Sequence, residues 1–203
     1  KLKWHCPKKR SKKLIVVRGF YSGLGLFVAF IITSCNSTTT YPKPKAFLAL
    51  SYQKANYRLF ENEYYTLPVP KRAQVLNKTS KSIELFYPEL NASLYINYAP
   101  MTLSLDEMVH GIEKKLSEHQ TKATAIVAYP YEEDGGSKAG VLYEIKGNAA
   151  SSAQFYVTDK EKHFLNGALY FNIKPNYDSI YPAAQYIIED LREMISQVSW
   201  KTP

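Results

Sequence analysis

Between Gly147 and Ser179 the chain concentrates side chains that could carry chemistry: Asn148, Ser151, Ser152, Gln154, Thr158, Asp159, His163, Asn172, Asn176 and Asp178. A serine, an aspartate and a histidine are all present, so acyl transfer is the first reaction to consider. A hydrolase using Ser151 or Ser152 with His163 needs hydroxyl and imidazole within hydrogen-bond reach. Neither serine stands in a Gly-x-Ser-x-Gly elbow. Asp159 precedes His163 by a short turn, Lys160-Glu161-Lys162, and a local hydrogen bond across that turn explains the pair without catalysis. Metal chemistry has less support. His110 and His119 are nine residues apart on one expected helix, off the four-residue spacing of a shared face, and no His-Glu-x-x-His is present. The acidic run Glu132-Glu133-Asp134 lacks the ligand rhythm of a calcium loop. Nothing in the spacing nominates a carboxylate pair for glycoside cleavage. The expectation is a protein with no enzymatic activity, no cofactor and no metal.

The two cysteines carry a different chemistry. Cys35 ends the stretch Leu14–Cys35, an apolar segment that follows the basic run Lys8-Lys9-Arg10-Ser11-Lys12-Lys13. A positive start, an apolar middle and small residues before a cleavage point form an export signal. Its last four residues, Ile32-Thr33-Ser34-Cys35, have the pattern of a bacterial lipobox. The Cys35 thiol then takes a diacylglycerol, a peptidase cuts between Ser34 and Cys35, and the new N-terminus becomes a lipid anchor. Two rivals are an uncleaved transmembrane anchor and an ordinary secretory signal. For the first, Gly19–Ser34 is short against the roughly 20 apolar residues of a span. On this reading residues 1–34 are a lipoprotein signal peptide that also discards Cys6.

Charge changes meaning once that segment is set aside. The chain has 26 Lys+Arg and 18 Asp+Glu, a net charge of +8. Residues 1–34 hold eight of the basic residues and none of the acids, so the remainder carries 18 of each sign. The basic excess belongs to the signal, where it holds the N-terminus on the cytoplasmic side. The exported part has no positive surplus with which to displace phosphate counterions, and nucleic acid is excluded as a partner. From Cys35 on there are 169 residues, enough for one domain that buries its own core.

These residues need a scaffold. Residues 35–45, the lipidated cysteine and Asn36–Lys45 (NSTTTYPKPK), read as a flexible tether, and residues 46–203 as one folded domain. Ala46–Tyr52 and Tyr57–Phe60 are candidate strands, and Glu63–Leu67 is extended until Pro68 and Pro70 break it. Ile83–Tyr87 and Ser93–Tyr98 alternate apolar and polar about Pro88-Glu89-Leu90-Asn91, which predicts a hairpin. Ser104 and Glu107 form a capping box, and Leu105, Met108, Val109, Ile112 and Leu116 follow at helical spacing. Ala123–Tyr131, Gly140–Lys146, Ser152–Asp159 and Phe164–Ile173 predict further strands, the last three a meander. A helix over about Ser179–Ser199, capped by Asp178 or Ser179, ends the chain with Trp200 behind it. The order predicts an α+β fold, an antiparallel sheet with helices packed on it.

The C-terminal third carries a more specific pattern: Gly147-Asn148-Ala149-Ala150-Ser151, Gln154-Phe155-Tyr156-Val157-Thr158-Asp159, His163-Phe164-Leu165-Asn166-Gly167-Ala168-Leu169-Tyr170-Phe171, Pro175-Asn176-Tyr177-Asp178-Ser179 and Trp200-Lys201. With Tyr41–Lys45 and His119–Ile126 upstream, it resembles the gliding motility lipoprotein GldD family of the Bacteroidota. The chain departs from that family at Asn166, where members often carry Arg, and at Glu63 and about Ser82, where many carry a cysteine pair. The resemblance implies a three-layer Mog1/PsbP-like sandwich. It also implies a lipid-anchored cell-envelope protein that supports the gliding and type IX secretion machinery through protein–protein contacts, and no enzymatic activity. Asn36–Thr40 carries no acidic surface-export signal after Cys35, which points to the periplasmic face. The expected contact surface is the polar set Asn148, Ser151, Gln154, Asp159, His163, Asn176 and Asp178. The alternative is a periplasmic lipoprotein that binds peptidoglycan or a small ligand, its tyrosines stacking on sugars.

Overall fold

The alternation of Ile83, Leu85 and Tyr87 with Ser82, Glu84 and Phe86 does what a period of two dictates: the first set is buried in the main core of a sheet. The computed structural model describes residues 56–76 and 79–201. The Ile32–Cys35 motif, the tether and the Ala46–Tyr52 strand lie outside the described residues.

Seven strands form one antiparallel sheet: β3 (Gln74–Leu76), β4 (Ser82–Tyr87), β5 (Ala92–Pro100), β6 (Ala123–Glu132), β7 (Ala139–Gly147), β8 (Ser151–Thr158) and β9 (His163–Phe171). Their spatial order is β3-β4-β5-β9-β8-β7-β6. The expected hairpin and meander are both present, and β5 joins them by pairing with β9, Asn97 opposite Asn166. Three strands make a second sheet: β1 (Tyr57–Glu61), β2 (Tyr65–Pro70) and β10 (Ser199–Trp200), in the order β1-β2-β10. The two helices are α1 (Leu105–His119) and α2 (Tyr177–Gln197). The fold is α+β, with antiparallel sheets and two helices.

Three local expectations are corrected. Pro68 and Pro70 do not break β2; they pair with Leu59 and Tyr57 of β1. β10 covers only Tyr65 and Thr66, so β2 is an edge strand on that side from Pro68 onward, where proline is tolerated. Second, α2 starts earlier, with Asn176 at the N-cap position and Asp178 inside the first turn, so neither Asp178 nor Ser179 caps it. Third, the helix ends at Gln197, so Val198 is past it, while Trp200 lies behind it as expected. Val198 is buried at its C-cap, and Trp200 pairs with Tyr65.

Each face of the large sheet receives one helix. The face of Leu94, Ile96, Leu142, Phe155, Val157 and Leu169 shares the main core with Ile187, Ile188, Leu191 and Met194 of α2, and with Tyr65, Leu67 and Val69 of the small sheet. Burying an aliphatic side chain of this size contributes about 1.5–3 kcal/mol. On the opposite face, Ile112 and Leu116 of α1 pack with Ile145 and Phe164, beside Tyr143 and Tyr156. The capping box holds as predicted: Ser104 Oγ accepts from the Glu107 N–H, and the Ser104 N–H donates to Glu107 Oε2 at 3.0 Å. Because α1 covers only part of its face, the middle of the sheet at β5 and β9 is left beside it as a groove.

Candidate functional site

β5 and β9 are interior strands, so their side chains alternate between the α2 core and the face that α1 leaves open. On that open face Tyr95 and Asn97 of β5 stand next to Asn166, Ala168 and Tyr170 of β9. Gln154 of β8 lies beside them, opposite Ala168. Ile112, Lys115, Glu118 and His119 of α1 form the other wall. Together they line a groove of about 580 Å³. Tyr95 is 41% exposed and meets Tyr170 edge-on, ring centroids 5.9 Å apart at 64°. Asn97 Oδ1 accepts from Ser82 Oγ at 2.9 Å. Burial, then the neighbouring Tyr95 and Glu118, push the Tyr170 hydroxyl above its usual pKa and keep it a neutral donor. The groove can therefore offer an aromatic face, neutral amides and a pair of opposite charges.

The polar set singled out in the sequence does not form one surface. β8 and β9 separate it into two ends. At one end, Asp159 Oδ1 accepts the backbone N–H groups of Glu161, Lys162 and His163 at 3.0, 2.8 and 2.8 Å. His163 Nδ1 lies 2.9 Å from the Tyr98 hydroxyl, and the imidazole stacks on Trp200 at 5.1 Å and 6°. His163 is 9% exposed. This pair closes the β8–β9 turn and ties it to both sheets, which corrects the expectation of an exposed contact surface there. At the other end Ser151 is buried, its hydroxyl donating toward the carbonyls of Ala153 and Leu169 at 3.0 and 3.1 Å, so it too is not a surface residue. Ser151 pairs with Tyr170, seven residues along β9 from His163, roughly 23 Å at 3.3 Å per residue. Ser152 is the extra residue of a bulge beside Ser151. A Ser–His hydrolase pair does not form.

Gln154 is the one member of the set that lines the groove. Asn148, Asn176 and Asp178 are exposed near the start of α2. Asn176 makes no side-chain cap, and Asn148 Oδ1 accepts the Tyr177 N–H at 2.8 Å from the β7–β8 turn in its place. Among the described residues no group of three His, Cys, Asp or Glu could hold a metal, and no helix is long and apolar enough to cross a membrane.

Sequence reasoning missed Tyr95, Asn97, Asn166 and Tyr170. The available signal was that each strand puts an aromatic and an amide at even spacing on one face. Only the β5–β9 register places the two strands side by side.

One further polar cluster lies in the main core. Asp190 of α2, 2% exposed, accepts from the guanidinium of Arg72, from the Tyr57 hydroxyl at 3.0 Å and from the Tyr87 hydroxyl at 3.4 Å. Burial raises the Asp190 carboxyl above its ordinary range, opposed by Arg72 and the two hydroxyls. Arg72 also covers the Tyr186 ring at 3.9 Å. The cluster is occupied by its own members and joins β2's loop to α2.

The chain is similar to the crystal structure of the Saccharomyces cerevisiae Ran-binding protein Mog1p, at 13% identity and a TM-score of 0.47, over 72% of this chain and 96% of that one. It is similar also to a point mutant of Mog1, at 14% identity and a TM-score of 0.46, over 71% and 95%. No curated protein matches it. The family described as gliding motility lipoprotein GldD matches residues 37–200, including every strand and helix above. The chain belongs to the gliding motility lipoprotein GldD family.

Proposed function

We propose that this protein is anchored through a lipid on Cys35 at the periplasmic face of the cell envelope. There it supports assembly or stability of the gliding and type IX secretion machinery by protein–protein contact. The observation that carries the reading is membership of a gliding motility lipoprotein family over residues 37–200. The lipobox Ile32–Cys35 and the balanced charge after it support an anchored domain without affinity for polyanions.

The contact surface is the end of the domain around the start of α2. Asn148, Asn176 and Asp178 are exposed there, and Ile173 is 48% exposed on the same β9–α2 connection. An exposed isoleucine among polar groups on a loop held by rigid elements is the composition of an interface patch. It replaces the His163 end, whose side chains hold the fold.

Cross-linking in intact cells followed by mass spectrometry tests the reading. The wild-type chain is expected to capture envelope components of the motility or secretion apparatus. Ile173→Glu combined with Asn176→Ala should lose at least tenfold of that capture while the purified protein keeps its circular dichroism. Capture of no motility or secretion component by the wild-type chain would sink the reading.

A further inference from the structure

We propose that the groove between α1 and strands β5 and β9 is a binding site for a neutral saccharide. The inference stands apart from the motility reading, whose contact surface lies at the start of α2.

The groove has the features of a built site. Gln154 is 5% exposed and lines the groove, and no hydrogen bond from the described residues reaches its side-chain amide. The amide atoms reach the solvent of the groove and are not among the buried polar atoms left without a partner, so a bound group can take the place of water on them. Asn166 is likewise unbonded among the described residues, and the Asn97 bond from Ser82 leaves the Asn97 NH₂ group open. Three amides thus converge from three adjacent strands. Each offers two donors and a carbonyl acceptor without net charge, which suits hydroxyl groups. Tyr95 supplies an exposed ring whose orientation is held by the edge-on Tyr170. A pyranose presents a flat C–H face to such a ring and hydroxyl edges to the amides.

Other occupants fit less well. An anion meets Glu118 as well as Lys115 on the α1 wall, and no arginine fork faces it. An acyl chain would strip water from three amides without replacing their hydrogen bonds. A peptide added as an extra strand is excluded at this place. β5 is already paired with β4 and β9, and β9 with β5 and β8, so no free backbone edge faces the groove. The volume of about 580 Å³ falls within the range of small-ligand sites.

The test uses the full-length lipidated chain in a sugar-free detergent, titrated by calorimetry with tetra-N-acetylchitotetraose, with maltotetraose and with inorganic phosphate. Saturable binding of at least one oligosaccharide is expected, and none of phosphate. Binding of the acetylated oligomer alone assigns the site to cell-wall-type glycan, and binding of both assigns it to neutral glycan in general. Tyr95→Ala should weaken the affinity tenfold or more with unchanged circular dichroism, as should Gln154→Leu. Tyr95 is exposed, so its variant decides the matter if Gln154→Leu does not fold. Binding of neither saccharide, binding of phosphate alone, or saccharide binding that Tyr95→Ala leaves intact overturns the proposal. Partner capture in cells reads the start of α2 and not the groove, so the two readings fail separately.

Discussion

Asp159 does its work through one oxygen. Burial by itself raises its carboxyl pKa. The N–H groups of His163, Lys162 and Glu161, with the His163 charge, outweigh that and leave it below the ordinary 3.8. The folded state therefore binds this proton more weakly than the unfolded state. The resulting stability is present above the ordinary carboxylate range and is lost as pH falls through the lowered folded value. Asp159→Asn should destabilise the domain by about 1–3 kcal/mol at neutral pH, the cost of weakening charge-assisted bonds to three donors. The gap between variant and wild type should narrow below about pH 4. Urea unfolding at about pH 7 and about pH 3 checks this; an equal gap at both would show that the carboxylate charge plays no part.

At the scale of elements, α2 is fastened at each end by a residue from elsewhere. Asn148 receives its first N–H, as described. At the other end Lys138, at the head of β7, donates to the carbonyls of Ser196 and Val198, both at 2.9 Å, and pairs with Glu133 at 3.1 Å. A cation at a helix C-terminus answers both the free carbonyls and the negative end of the helix dipole. Lys138 is only 8% exposed, so its removal leaves those carbonyls poorly hydrated. Lys138→Met should cost about 1–3 kcal/mol in urea unfolding. Amide exchange should accelerate first in the last turn of α2 and in β10, next to the lost bonds. Faster exchange spread evenly over the sheet would place the effect elsewhere. Glycine matters at one nearby joint. Gly147 ends β7 with φ +105°, and a Cβ there would stand 2.6 Å from the Thr124 N. The β7–β8 turn that presents Asn148 to α2 therefore depends on a residue without a side chain.

Across the whole molecule, placement and charge are separate properties. The basic surplus lies before Cys35 and the residues from Cys35 on are balanced, so under the proposed anchor membrane residence would rest on acyl chains and not on attraction to anionic lipid. Cys35→Ala should abolish incorporation of labelled fatty acid. It should also leave residues 1–34 uncut, so that the variant runs as a larger, unlabelled precursor while the wild-type chain runs as the shorter labelled form. A wild-type chain that takes up no label and runs at the size of the Cys35→Ala variant would instead mark Gly19–Ser34 as an uncleaved span.

Features readable from the residues alone are local. The start of α1 was legible because Ser104 and Glu107 satisfy each other three residues apart. The β4–β5 hairpin was legible because apolar side chains alternate on either side of a short turn. The neutral charge after Cys35 is a count that no fold alters. Features that emerge only on folding involve residues distant in the chain. His163 and Asp159 looked like a polar surface, yet Tyr98 and Trp200 come from 65 and 37 residues away to bury the imidazole. Ser151 looked available, and a bulge turns its hydroxyl onto two carbonyls. The groove exists because β5 pairs with β9 across the α1 crossover and three other strands. Alternation tells which side chains share a face of one strand. It does not tell which strand lies alongside, because that is set by the summed packing of both cores, and so Tyr95, Asn97, Asn166 and Gln154 become one site only when the sheet closes.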